Sequence, residues 1–204
     1  MQPDLVIRNA QVIDGLLTPA FRADIAIRAG MIMQVAARCP SGRQEIDASG
    51  LTAAPGFIDA HAHDDFALLA DPLMPAKVSQ GVTTVITGNC GLSLAPLAGD
   101  VSEIPAPLDL LGPRDGFRFP TFEAYLAELD ARPAAVNAGC LIGHTTLRVA
   151  LMRNLQRPAE VDEARAMAAA ARAALASGAL GVSSGAYYPP AAAADAAELH
   201  AVCQ

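Results

Sequence analysis

Basic residues are scarce in this chain: 14 lysines and arginines stand against 21 aspartates and glutamates, for a formal net charge of −7. No basic run overrides that balance, which excludes a nucleic-acid surface built on clustered cations. Long apolar runs are missing too. No uninterrupted stretch reaches the roughly 18 residues of a membrane span, so none is expected. The opening MQPDLVIRNA lacks a basic region followed by an apolar core, and does not read as a secretory signal. Cysteine is sparse: Cys39, Cys90, Cys140 and Cys203 are scattered over 204 residues, which is no disulfide framework. The expected compartment is reducing, hence the cytoplasm. The tail after Pro158 lacks the Gly/Ser or Pro density of a linker; its alanines are helix formers.

Apolar material is plentiful. A composition 52% hydrophobic and 17% charged can bury a core. The first fifty residues read as short strands. Leu5 and Ile7, then Val12 and Ile13, flank a turn-prone Asn9-Ala10, and Asp14-Gly15 is a second turn signal. Residues 24–28 and 31–35 form a half-buried hairpin about Ala29-Gly30, and residues 44–47 add a strand. Residues 1–54 are therefore predicted as a small β domain.

After Pro55-Gly56 the rhythm changes, and residues 55–204 are predicted as a second domain. Phe57 to His61 is a short apolar run ending in polar residues. Residues 72–80 suit one or two helical turns. Thr83 to Thr87 is β-branched and strand-like, ending in Gly88-Asn89-Cys90-Gly91. Residues 93–120 carry five prolines and read as a long loop. Residues 121–129 read as a helix capped by Thr121. Val136 to Ile142 is a third strand, ending in Gly143-His144. A helix is predicted from about Ala159 to Ala176, with Val161, Ala164, Ala168, Ala171 and Leu175 on its inner face and Gly178 ending it. Leu180 to Ser184 is a fourth strand. A last helix starts near Ala191 and is still running at Gln204. Strands alternating with helices predict an α/β fold with a parallel sheet. Polar residues cluster at each strand's carboxyl end, where such folds carry their chemistry.

His61 and His63 are two apart, so on an extended segment both imidazoles face one side and can converge on a metal ion. The competing reading is a packed or hydrogen-bonded pair. Cys90 ends the next strand between glycines that let its loop approach a ligand. Ends of consecutive parallel strands are usually neighbours, so the three side chains can share one cavity. Cys90 is equally readable as a buried inert thiol. Asp64 is positioned to orient a ligand imidazole, whereas Asp65 reads more as a solvated turn. His144 is a substrate or metal contact, or a structural histidine. His200 reads as a surface residue, and the other three cysteines as packing.

Together these motifs resemble the amidohydrolase superfamily, whose first-strand metal motif looks like Pro55-Gly56-Phe57-Ile58-Asp59-Ala60-His61-Ala62-His63. Within it, Asp64-Asp65, Gly81-Val82-Thr83-Thr84-Val85 and Gly88-Asn89-Cys90-Gly91 look like the N-acyl-D-amino-acid deacylases (D-aminoacylases). So do Gly143 to Arg148 and the segment Gly178 to Pro189. The resemblance implies a (β/α)₈ TIM-like barrel with a small β domain, a zinc cofactor, and hydrolysis of the amide bond of an N-acyl-D-amino acid. It implies His61, His63 and Cys90 as metal ligands, Cys90 at a tighter zinc site and the histidines at a second, weaker one. His144, Ser184 and Tyr187 are the expected substrate contacts, with Asp64 behind the ligands. Relatives of the hydantoinase and dihydroorotase kind bridge their metals with a modified lysine from a later strand. Here Lys77, the sole lysine, follows the first.

A (β/α)₈ barrel takes about 250 residues, and only about four barrel strands are read here. The family's later zinc histidines and its aspartate base find no match. The chain is expected to be the N-terminal part of a deacylase, with little or no activity alone. Alternatives are a non-catalytic assembly module, for which open sheet edges allow a homo-oligomer, and a cyclic-amide hydrolase, against which the Cys90 motif argues.

Overall fold

A computed structural model describes residues 2–98 and 104–204 of the chain. The chain divides into two compact units, Met1–Gly56 and Phe57–Gln204.

The first unit is a mixed sheet. β1 (Leu5–Val12) lies at its centre, antiparallel to β2 (Phe21–Arg28) and parallel to β4 (Gln44–Asp47) and to the short β5 (Thr52–Ala53). β3 (Met31–Ala36) closes the predicted hairpin on β2; Ala29 and Gly30 both take positive φ, 48° and 75°, as a two-residue hairpin turn demands. The predicted turn at Asn9-Ala10 is instead an irregularity inside β1. Asn9 sits at φ 59° and the register on β2 shifts between Ile7 and Ala10, so the strand bends without ending. Arg8 reaches from β1 to Asp24 at 2.7 Å and to Glu45 at 2.5 Å, pinning three strands together.

The second unit is a four-stranded parallel sheet in sequential order: β6 (Phe57–Asp59), β7 (Val82–Thr87), β8 (Asn137–Gly143), β9 (Gly181–Ser183). Two short helices, α1 (Ala67–Ala70) and α2 (Pro75–Val78), connect β6 to β7. α3 (Phe122–Ala131) begins under the predicted cap: the Thr121 hydroxyl accepts from the Ala124 N–H at 3.1 Å. α5 (Val161–Ser177) starts with a capping box between Glu160 and Glu163 and stops at Gly178 in the left-handed region.

Several expectations are corrected. The segment before α3 is no open loop: Leu92, Leu94, Leu97, Leu108, Leu111, Phe117 and Phe119 are buried in the main core, and two 3₁₀ turns punctuate it. Residues 99–103 of that predicted loop lie outside the described residues. A helix not expected from the sequence, α4 (His144–Leu151), follows β8 directly; its residues His144 to Arg148 are all buried, while Ala150 and Leu151 are exposed. On α5 the buried face is Met167, Ala168, Ala171 and Ala174, while Val161 is 74% exposed. So many alanines leave little contrast between faces, and Met167 decides which side goes in. The last helix, α6 (Ala196–Cys203), starts later than predicted, because the Asp195 carboxylate caps it by accepting from the Glu198 N–H at 2.8 Å.

Candidate metal centre

The carboxyl ends of β6 and β7 place the site. Beyond β6 the chain runs Ala60-His61-Ala62-His63, and the Ala62 N–H donates to the Ile86 carbonyl at 3.0 Å, tying this extension to β7. β7 ends in the loop Gly88 to Leu94. Cys90 there holds φ 58°, unusual for a residue with a Cβ, and Gly91 follows at 77°. The loop turns so tightly that neighbours must be glycine. A Cβ on Gly143 would overlap the Gly91 carbonyl, and one on Gly185 the Cys90 carbonyl.

One ligand atom from each of His61, His63 and Cys90 lies within 4.8 Å of the others, the one such trio of potential metal ligands among the described residues. His61 Nε2 is 3.1 Å from Cys90 Sγ, and the two imidazoles meet edge to face at 5.6 Å. Three observations fit a metal ion. Donors of a tetrahedral zinc stand roughly 3.5 Å apart, the scale seen here. The donor set, two imidazoles and a thiol, suits a borderline-soft cation. His63 Nδ1 is buried with no hydrogen-bond partner, an orphan that a ligand bond would relieve. Burial, and then the neighbouring His61, lowers the His63 pKa, which favours the neutral imidazole that metals need.

Around the trio stand charged and polar supports. Lys77 on α2 reaches Asp59 at 2.6 Å and Asp64 at 2.8 Å, so the two acids flanking the histidines share one cation. That ion pair holds the Asp59 carboxyl below its ordinary range, and Asp59 also accepts from the His61 N–H at 3.3 Å. Asp65, expected as a solvated turn, is 1% exposed; burial pushes its pKa up to about 7. The correction has a physical source, since its carboxylate accepts from the N–H groups of Gly88 and Leu94 inside the protein.

Of the expected substrate contacts, Ser184 and Tyr187 are exposed in the segment after β9, which packs on the Cys90 loop through Gly185. His144 lies elsewhere in character: it is fully buried at the start of α4, with Nε2 2.8 Å from Glu198 on α6. Burial lowers its pKa against the pull of Glu198. Glu198 holds the ring from one side, while its Nδ1 is buried with no hydrogen-bond partner. Three contributors escape sequence reasoning. Tyr188 lies beside Cys90, and that proximity raises its pKa. Ser183 donates to the Gly88 carbonyl and accepts from the Gly91 N–H at 2.9 Å. Asn89 donates to the carbonyls of Ile86, at 2.8 Å, and Ala62. Each is adjacent to a residue already singled out: Asn89 to Cys90, Ser183 to Ser184 and Tyr188 to Tyr187.

The amidohydrolase family profile (Amidohydro_3) matches residues 44–204. The chain belongs to that family. Within the family it is 54% identical over 205 residues to the N-acyl-D-aspartate deacylase of Alcaligenes xylosoxydans xylosoxydans, covering 100% of this chain and 41% of that relative. The crystal structure of D-aminoacylase superposes with a TM-score of 0.95 at 51% identity, covering 98% of this chain and 42% of the other. The N-acyl-D-glutamate deacylase of Bordetella bronchiseptica, solved with zinc and a phosphonate mimic of the reaction's tetrahedral intermediate, superposes with a TM-score of 0.91 at 41% identity, covering 99% and 42%. The chain thus spans about two-fifths of the length of the relatives it matches. Among the described residues no helix is long and apolar enough to cross a membrane.

Proposed function

We propose that this chain carries part of the zinc centre of an N-acyl-D-amino-acid deacylase, an enzyme that hydrolyses a linear amide to a carboxylate and a D-amino acid. The convergence of His61, His63 and Cys90 within 4.8 Å carries this reading, and the likeness to D-acyl deacylases supplies the substrate class. The four parallel strands are read as the first half of a (β/α)₈ barrel. Zinc, when bound, supplies water activation and polarisation of the acyl carbonyl.

The chain's own residues do the rest. His61, His63 and Cys90 would hold the ion. Asp64, fixed by Lys77, restrains the histidine segment from behind. Ser184 and Tyr187 face the acyl-amino acid from the segment after β9. No general base is assigned here, so little turnover is expected of this chain alone. A chimera tests the reading: an intact D-acyl deacylase carries this chain in place of its own matching part. It is expected to release D- but not L-amino acids from N-acetyl substrates, and to lose most turnover with Cys90→Ala. Turnover indifferent to that substitution refutes the assignment.

One feature favours a second reading. Within the described residues, β6 and β9 are the outer strands of their sheet, the positions at which a second copy could add a strand. A defined dimer in solution mass measurements supports an assembly role; a monomer removes it.

A further inference from the structure

The Cys90 loop is held in a costly shape. A residue with a Cβ at φ 58° gives up roughly 1 kcal/mol or more relative to ordinary backbone, so surrounding contacts must impose it. Ser183 brackets it from β9, and Asp65 brackets it from the histidine segment. Its Oδ2 accepts from the Gly88 N–H at 3.3 Å, two residues before Cys90, and its Oδ1 accepts from the Leu94 N–H at 3.3 Å, four residues after. Asp65 is also two residues beyond His63, so one carboxylate joins the histidine segment to both ends of the cysteine loop. The joint is itself anchored. The Tyr125 hydroxyl on α3 donates to the Asp65 carbonyl at 2.9 Å, and Asn89 bridges back to Ala62 between the histidines at 3.3 Å.

Packing alone does not account for an acid here. A carboxyl group that is 1% exposed is costly to bury unless its oxygens are satisfied, and an apolar side chain would fill the space without that cost. What an apolar residue cannot do is accept from two backbone N–H groups at once. We infer that Asp65 is a positioning residue: its carboxylate clamps the Gly88–Leu94 loop to the His61–His63 segment, so that thiol and imidazoles are already assembled when a metal arrives. Lys77 and Asp64 brace the other side of the same segment, but neither touches the cysteine loop in any contact described above. The inference rests on the reading of His61, His63 and Cys90 as metal ligands.

Cobalt(II) tests it, because a thiolate-to-cobalt band in the near ultraviolet reports ligation by Cys90 separately from overall affinity. The chain, its Cys90→Ala variant, Asp65→Asn and a core control, Met167→Ala on α5, are titrated with Co(II) well below their melting temperatures. Asn retains one acceptor but turns an NH₂ toward the other N–H, opening the clamp. Asp65→Asn is expected to lose about 10-fold or more in affinity, as loss of a supporting contact around a metal typically does, with a weakened thiolate band. Met167→Ala is expected to melt lower yet bind as the unmodified chain does. Asp65→Asn binding within about 2-fold of the unmodified chain, with an undiminished band, overturns the inference and leaves the metal site standing. An unmodified chain with no band that Cys90→Ala removes overturns the site itself, and the inference with it. Should Asp65→Asn not fold, Tyr125→Phe frees the Asp65 carbonyl with a milder lesion. It must then weaken Co(II) binding measurably, and unchanged binding overturns the clamp.

Discussion

Replacing Arg148 by methionine is predicted to be among the most damaging single changes to the second unit, for reasons that can be counted. Arg148 is fully buried on α4, and one of its terminal nitrogens contacts both carboxylate oxygens of Glu198 at 2.5 Å. Its Nε donates to the Pro190 carbonyl at 2.7 Å, and its other terminal nitrogen to the carbonyls of Leu155 at 3.1 Å and Arg157 at 2.9 Å. Glu198 also accepts from the Ala159 N–H at 2.8 Å and faces His144. One guanidinium thus ties α4 to α6, to the approach to α5 and to the segment after β9. Methionine fills comparable space but strands a buried carboxylate. Removing one partner of such a pair costs about 3–5 kcal/mol, and the three released carbonyls place this case at the upper end. For a unit of this size each kcal/mol is worth roughly 2–4 °C, so Arg148→Met should melt about 10–20 °C lower. Glu198→Gln should cost about 3 kcal/mol by leaving the cation uncompensated. The double variant should lose clearly less than the sum, because no lone charge remains. Thermal unfolding of the four proteins at neutral pH measures the cycle. Single variants each costing under about 1 kcal/mol, or strictly additive losses, would refute the argument.

Two further predictions concern other parts of the fold. In the first unit, burial pushes the Asp24 carboxyl up, but N–H donation from Asn9 and Cys39 and the Arg8 guanidinium outweigh it and bring the pKa down to about 2. Its folded value lies below its unfolded one, so its contribution to stability is present above about pH 4 and disappears as pH falls toward 2. Acid titration followed by circular dichroism should show that loss, and Asp24→Asn should flatten it while lowering stability at neutral pH. Glycines at similar φ should differ sharply: Gly30 at 75° has open space for a Cβ, whereas at Gly88, at 77°, a Cβ would overlap the Leu141 carbonyl. Gly30→Ala should cost about 1 kcal/mol, the backbone term alone, and Gly88→Ala much more; equal melting temperatures would contradict the geometry.

What the sequence made legible were features with local causes. The Thr121 cap, the Gly178 stop, the Ala29-Gly30 hairpin and the β-branched strand at Thr83–Thr87 each depend on neighbours in the chain. The three candidate ligands were legible because strand ends in a parallel sheet meet by topology. Most of what stayed hidden depends on tertiary contact. α4 is short and follows β8 without a break, so no turn signal separates it from the strand. Asp65 looks like a surface acid until the loop that it bonds is in place. His144 looks like an open polar strand end until Glu198, fifty-four positions later, is seen against its ring. The segment before α3 looks like a loop because prolines break its periodicity, yet its leucines and phenylalanines fill the core.

The central claim is that His61, His63 and Cys90 form a metal centre, and zinc content tests it most directly. The purified chain is analysed for zinc beside a Cys90→Ala control. Stoichiometric zinc that is lost in the control is the predicted result. Zinc no higher than in the control would contradict the account and leave the three side chains as a packed cluster.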